Sequence, residues 1–200
     1  MQYIQRNWLT FLLTALLAVL LLVPGAKAVF LKAMLGTGLF NAGTKTTTSN
    51  KGIAAMAPLS FTDKNGSTLN TVDLKGKVIF INFWATWCPP CVAEMGSVNA
   101  LYNKLKNDPH FVFILADADN NLSHSTDFMN KHQYNLPVYT ITGPIPENIF
   151  SGTLPTTLIV DTRGQLVQKH EGMANYDTQA MLQFLTSLLI NHPSPAPPAK

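Results

Sequence analysis

The chain has 200 residues, 46% of them apolar and only 12% charged, with a net charge of +3. Its basic residues are scattered and form no Lys/Arg block, which argues against a nucleic-acid surface, and two cysteines are too few for a disulfide-stapled miniprotein. Between dissimilar ends, a folded portion of about 140 residues is expected, enough for one substantial core.

The apolar run at 8–23, WLTFLLTALLAVLLLV, follows Arg6 and is followed by Pro24-Gly25 and then Ala26-Lys27-Ala28. A positive flank, an apolar stretch and a small-x-small box make residues 1–28 either a secretory signal peptide cut after Ala28 or an uncleaved membrane anchor. The run is shorter than the roughly 20 residues that cross a bilayer. Both readings place the rest of the chain outside the cytoplasm, where disulfides persist. Residues 29–57 read as a short amphipathic segment, broken by Lys32, Gly36 and Gly38, and a flexible linker rich in Thr, Ser, Gly and Ala. Residues 58–190 carry the folded domain, and 191–200 are a proline-rich tail without means to pack.

Within the domain, Leu59–Asp63 and Thr68–Leu74 flank Lys64-Asn65-Gly66-Ser67 and predict a hairpin, whose Asn-Gly step favours a tight turn since both residues tolerate positive φ. Val78–Trp84 is a near-continuous β-prone run, as for a strand buried on both faces. A helix follows to about Lys106, with Val92, Met95, Val98, Leu101 and Leu105 at helical spacing. Phe111–Ala116 reads as a second buried strand, Ser123–His132 as a helix and Val138–Ile141 as a short strand. Thr156–Asp161 and Leu166–Glu171 form another hairpin around Thr162-Arg163-Gly164, and Tyr176–Leu189 closes the domain as an amphipathic helix. This order implies an α/β fold with a mixed sheet covered on both faces. The triplet Asp117-x-Asp119-x-Asn121 copies the start of a calcium loop, but Leu122 and Phe128 occupy positions that an EF-hand requires as Gly and Glu. It reads as a loop after a strand, with acids that could border a site at that end of the sheet.

Both cysteines lie in FWATWCPPC, at positions 88 and 91. A helix start supplies unpaired N–H groups and the positive end of the dipole, which favour a thiolate, and proline suits the first helical turn. Cys88 therefore lies where the field is strongest, with Pro89 and Pro90 opening the helix. Cys91 follows about one turn on, close enough to bond it. Cys88, nearer the loop and solvent, should attack a partner's disulfide, and the deeper Cys91 should release the reduced product. A structural zinc site needs four ligands, which one CxxC without an HxxxH pair does not supply. A four-residue disulfide loop would be a poor staple. No metal or other cofactor is expected.

FINFWATWCPPC, the preceding LKGKV, Glu94, LPTTLIVD and HEG together resemble the TlpA-like branch of the thioredoxin-fold family, in order over residues 56–189. The resemblance implies a thioredoxin-like fold with an added N-terminal β-hairpin and thiol–disulfide exchange in the periplasm. The protein would be a reductase fed by a membrane thiol–disulfide electron donor, acting on exported proteins such as apocytochromes c. It assigns Cys88 as the attacking cysteine, Cys91 as the resolving one, and Trp87 as an apolar platform for a peptide beside Pro89 and Pro90. Pro155 falls at the family's cis-proline, with Leu154 pairing an extended substrate. Where many thioredoxins carry a buried Asp this chain has Asn82, which cannot accept the resolving thiol's proton. Glu94 is the nearest acid in sequence; it either serves that role or is an anion favoured near a helix start. Gly96 stands where relatives often have proline. A reading from another class is a non-catalytic adaptor that binds unfolded or secreted chains through the Leu154-Pro155 groove.

Overall fold

The computed structural model describes residues 7–22, 30–31, 33–34 and 55–190. An apolar helix, α1 (Trp8–Leu22), occupies most of the N-terminal run. It has 15 residues, and among the described residues no helix is long and apolar enough to cross a membrane. The Ala26-Lys27-Ala28 box, most of the linker and the proline-rich tail lie outside the described residues.

The domain is a seven-stranded mixed sheet in the order β2-β1-β5-β4-β3-β6-β7. Its strands are β1 (Ser60–Thr62), β2 (Thr68–Asn70), β3 (Val78–Trp84), β4 (Phe111–Asp117), β5 (Val138–Thr142), β6 (Thr156–Val160) and β7 (Leu166–Glu171). The helices are α2 (Pro89–Leu105), α3 (Leu122–Lys131) and α4 (Gln179–Ile190). β3 pairs parallel with β4 and antiparallel with β6, and β4 pairs parallel with β5. The N-terminal hairpin β1–β2 extends the sheet by pairing antiparallel with β5.

All seven residues of β3 are buried, because its alternating side chains feed two core layers. Val78, Phe80 and Trp84 enter a layer with residues of α2, α3, α4 and Tyr176. Ile79, Ile81 and Phe83 enter the other, which no α-helix residue joins among the described residues. That second face is closed by Met56–Leu59, by Leu74 and by Ile145, Ile149 and Phe150, whose ring stacks on Phe83 at 4.3 Å. Both faces are covered as expected, yet among the described residues helices cover only one. The proline-punctuated segment at 143–155, together with Met56–Leu59 and Leu74, covers the other.

Three local expectations are corrected. Of the Asn65-Gly66 pair only Gly66 takes positive φ, at 81°. The Asp63 carboxylate accepts the N–H groups of Asn65 and Ser67, and Gly66 N–H closes onto Asp63 O, so the connection is a longer bulged loop and not a two-residue turn. The second strand stops at Asn70, since Thr71 bonds Leu59 both through its N–H and through Oγ1, and the chain rolls into a 3-10 turn at Thr71–Leu74. The last helix starts at Gln179, because Thr178 Oγ1 accepts the Met181 N–H as a cap and Tyr176 precedes it with its ring in the core.

Candidate active site

β3 ends at Trp84, and the chain turns through Ala85 to Trp87 before α2 begins. Cys88 is the N-cap of α2, with Pro89 and Pro90 in its first two helical positions. Cys88 and Cys91 are joined by a disulfide with Cα atoms 5.3 Å apart. Cys88 Sγ accepts the Cys91 N–H at 3.3 Å, so the sulfur itself takes one of the amides that a helix start leaves unpaired. Cys91 is fully buried and Cys88 is 3% exposed. The order of depth is as expected, but Cys88 is more enclosed than a residue open to solvent. Trp87 is the group that projects, at 66% exposure.

Leu154 packs against both core layers, and the Leu154–Pro155 peptide bond is cis. Thr156 pairs with Phe83, so Pro155 lies at the end of the sheet from which the CPPC segment emerges. Pro155 O accepts the Gly172 N–H at 2.8 Å, tying this corner to the turn after β7.

Glu94 is fully buried. Its Oε1 accepts from Asn82 Nδ2 at 2.8 Å and its Oε2 from the Ala174 N–H at 3.0 Å. Burial pushes the Glu94 carboxyl from 4.5 up to about 8, against the opposing pull of those two donors. Asn82 Nδ2 also donates to Thr157 Oγ1 at 2.9 Å, and Tyr176 Oη donates to the same oxygen at 2.7 Å. Burial first, and Glu94 second, push the Tyr176 hydroxyl well above its ordinary value. Being i and i+3 on α2, Cys91 and Glu94 share a helix face. The site thus joins a sulfur pair at a helix start to a carboxyl that titrates close to the ordinary range of a thiol.

The acids of the loop at the end of β4, expected as able to border a site, include one that does. Trp87 Nε1 donates to Asp119 Oδ2 at 2.6 Å. Asp119 is held in turn by the Asp117 carboxylate, which accepts the N–H groups of Asp119 and Asn121. The acidic triplet after β4 is therefore a loop folded on its own amides, and one of its acids reaches the site. Thr157, Ala174 and Tyr176 were not legible as site residues; their sole signal is that the first lies in LPTTLIVD.

A family model described as Redoxin matches residues 43–182. The chain belongs to the redoxin family. It is 38% identical over 109 residues to a thiol-disulfide oxidoreductase ResA of Bacillus cereus, covering 54% of this chain and 62% of that one. It is 28% identical over 128 residues to the ResA of Bacillus subtilis strain 168, covering 64% and 69%. The chain thus spans about 62% of the length of the first relative. Among solved structures, a thiol:disulfide interchange protein of the thioredoxin family from Chlorobium tepidum TLS matches with a TM-score of 0.55 at 21% identity, over 69% of this chain and 97% of that one. The exposed lipoprotein thioredoxin Etrx1 of Streptococcus pneumoniae strain TIGR4 matches with a TM-score of 0.50 at 28% identity, over 66% and 99%. These likenesses establish the thioredoxin-like fold and agree with the TlpA-like resemblance of the sequence motifs.

Proposed function

We propose that the protein is an exported thiol–disulfide oxidoreductase that reduces disulfides of other proteins through Cys88 and Cys91. The observation that carries this reading is the Cys88–Cys91 disulfide at the start of α2, with Cys88 Sγ taking the Cys91 amide. In the dithiol form the same amide and the helix dipole stabilise a Cys88 thiolate. That thiolate attacks one sulfur of a substrate disulfide, forming a mixed disulfide and expelling the other substrate sulfur as thiolate. Cys91 then loses its proton to the Glu94 carboxylate and attacks Cys88 Sγ, which releases the second substrate thiolate and leaves the disulfide seen here. An external dithiol returns two electrons to close the cycle, and protonated Glu94 gives its proton back to Cys91. With the Glu94 carboxyl at about 8, near an ordinary thiol, neither transfer is steeply uphill.

Trp87, Pro89 and Pro90 on one side and Leu154 and Pro155 on the other form the surface over which we place an extended substrate. Periplasmic residence, an N-terminal segment that is either cleaved as a signal or kept as a membrane anchor, a membrane electron donor and apocytochrome c as a substrate belong to the same reading. It is supported by the apolar α1, whose described side chains are largely exposed, and by the relatives named as thiol-disulfide oxidoreductases. Insulin reduction with dithiothreitol as donor tests it. Turnover that disappears in Cys88→Ser is expected, and in cells Cys91→Ser should accumulate mixed disulfides. Wild-type turnover no faster than the uncatalysed rate, with polypeptide binding that survives loss of both cysteines, would replace the enzyme by the adaptor.

A further inference from the structure

Asn82 stands in the middle of β3, fully buried, at the junction of two polar side chains from other elements. Its Nδ2 lies 2.8 Å from Glu94 Oε1 and 2.9 Å from Thr157 Oγ1, whereas its Oδ1 has no partner among the described residues. With Glu94 ionised, this array is complete at the carboxylate: both Nδ2 protons are donated, and Oε2 receives the Ala174 N–H. With Glu94 protonated it is not. Both oxygens already accept an N–H, but the Ala174 donor on Oε2 is fixed backbone while the Asn82 donor on Oε1 is a side-chain amide that can turn, so the conflict is relieved only with the proton on Oε1, where it faces Nδ2 across 2.8 Å.

A half-turn of the Asn82 amide removes that conflict, because it exchanges Nδ2 and Oδ1 at nearly the same positions and asks nothing of the neighbours' heavy atoms. Glu94 Oε1–H then donates to Asn82 Oδ1. Thr157 Oγ1, still receiving the Tyr176 hydroxyl proton, turns its own proton to the same Oδ1. The orientations leave different ends of Asn82 unpartnered, the Oδ1 oxygen in one and the two Nδ2 protons in the other, and the proton on Glu94 has to outweigh that difference.

We propose that the Asn82 amide is a two-position switch that turns over whenever Glu94 gains or loses its proton, which makes Asn82 a positioning residue for that carboxyl. The inference rests on the reading of Glu94 as proton partner of Cys91. It also gives a reason for Asn at this position, since an ionised Asp here would offer the ionised Glu94 no donor. The ionisable groups around the switch are Cys91 on α2, Tyr176 ahead of α4, and His170 of β7, which the register sets opposite Thr157. From β4, the register partner of Asn82 is the apolar Leu115.

The test is a carbon and nitrogen NMR titration of the full chain in its disulfide form, labelled at Asn and Glu, from about pH 5 to 10. The Asn82 side-chain Cγ and Nδ2 signals are expected to change with the same midpoint as Glu94 Cδ. The Asn82 response should vanish in Glu94→Gln and persist in His170→Gln. Thr157→Val, which removes the oxygen used in both orientations, should displace the Glu94 midpoint by roughly half a pH unit or more. Asn82 signals that stay flat while Glu94 titrates, or that still move in Glu94→Gln, would overturn the switch. No turnover enters this measurement. Failure of the proposed reaction would appear separately, as insulin reduction whose pH dependence is unchanged in Glu94→Gln.

Discussion

A fully buried carboxyl held by two hydrogen bonds is the residue that most distinguishes this site. The unfolded chain releases the Glu94 proton near 4.5 and the native chain at about 8. Between these values the native state holds more protons, so stability falls as pH rises through that window and levels off above it. The full loss is on the order of 5 kcal/mol. Urea unfolding of the disulfide form should therefore show a midpoint that declines from about pH 5 to 8 in the wild type and stays nearly level in Glu94→Gln. Equal slopes in the two proteins would show that another group carries the dependence. Glu94 was a candidate in the sequence by its nearness to Cys91. Its burial was not legible there, because the groups that enclose it come from β3 and from the turn after β7.

Among the elements, α2 ties the site to the core. Its N-terminus was readable from CPPC alone, since two prolines followed by residues at helical spacing suit a helix start. Its inner face was readable in four of the five expected positions: Met95, Val98, Leu101 and Leu105 are buried, whereas Val92 is only half-buried. Gly96 is the weak point of this helix. A methyl added there would meet Tyr134 Oη at 3.4 Å, an ordinary contact with the end of a side chain. Gly96→Ala is expected to stabilise the protein by roughly 0.5–1 kcal/mol through helix propensity, raising the melting temperature by about 2–4 °C with turnover unchanged. A lower melting temperature would mean that the close approach of Tyr134 outweighs the helical gain. The hairpin β1–β2 was legible as an element but not in its turn. Asp63, whose carboxylate takes two loop amides, decided the loop geometry over the Asn-Gly preference.

For the whole molecule, the two core layers lie within residues 56–189. Ala55 bridges Gln165, the Met56 N–H bonds Gly164 O, and Leu59 is buried beneath the sheet. A chain starting at residue 60, which loses Leu59 and the bridge, should therefore melt at least about 5 °C below one starting at residue 55. Equal melting temperatures would show that these contacts add nothing to the domain's stability. The position of the site also belongs to this scale: the carboxyl end of β3 meets the start of β6, so Cys88 and Pro155 converge from opposite chain directions.

By itself the sequence determined what a few neighbouring residues can encode. The apolar run of β3, the helical spacing of α2, the cysteine at its cap and the α/β order all depend on local propensity and periodicity. Tertiary structure alone decided the state of the polar groups. Asn82 meets Glu94, Thr157 meets Asn82 and Ala174 meets Glu94 across separations of 12, 75 and 80 residues. Trp87 meets Asp119 across 32. The protonation of a carboxyl depends on how much water is removed from it and on which donors replace that water. Both are supplied here by distant segments that no local pattern specifies.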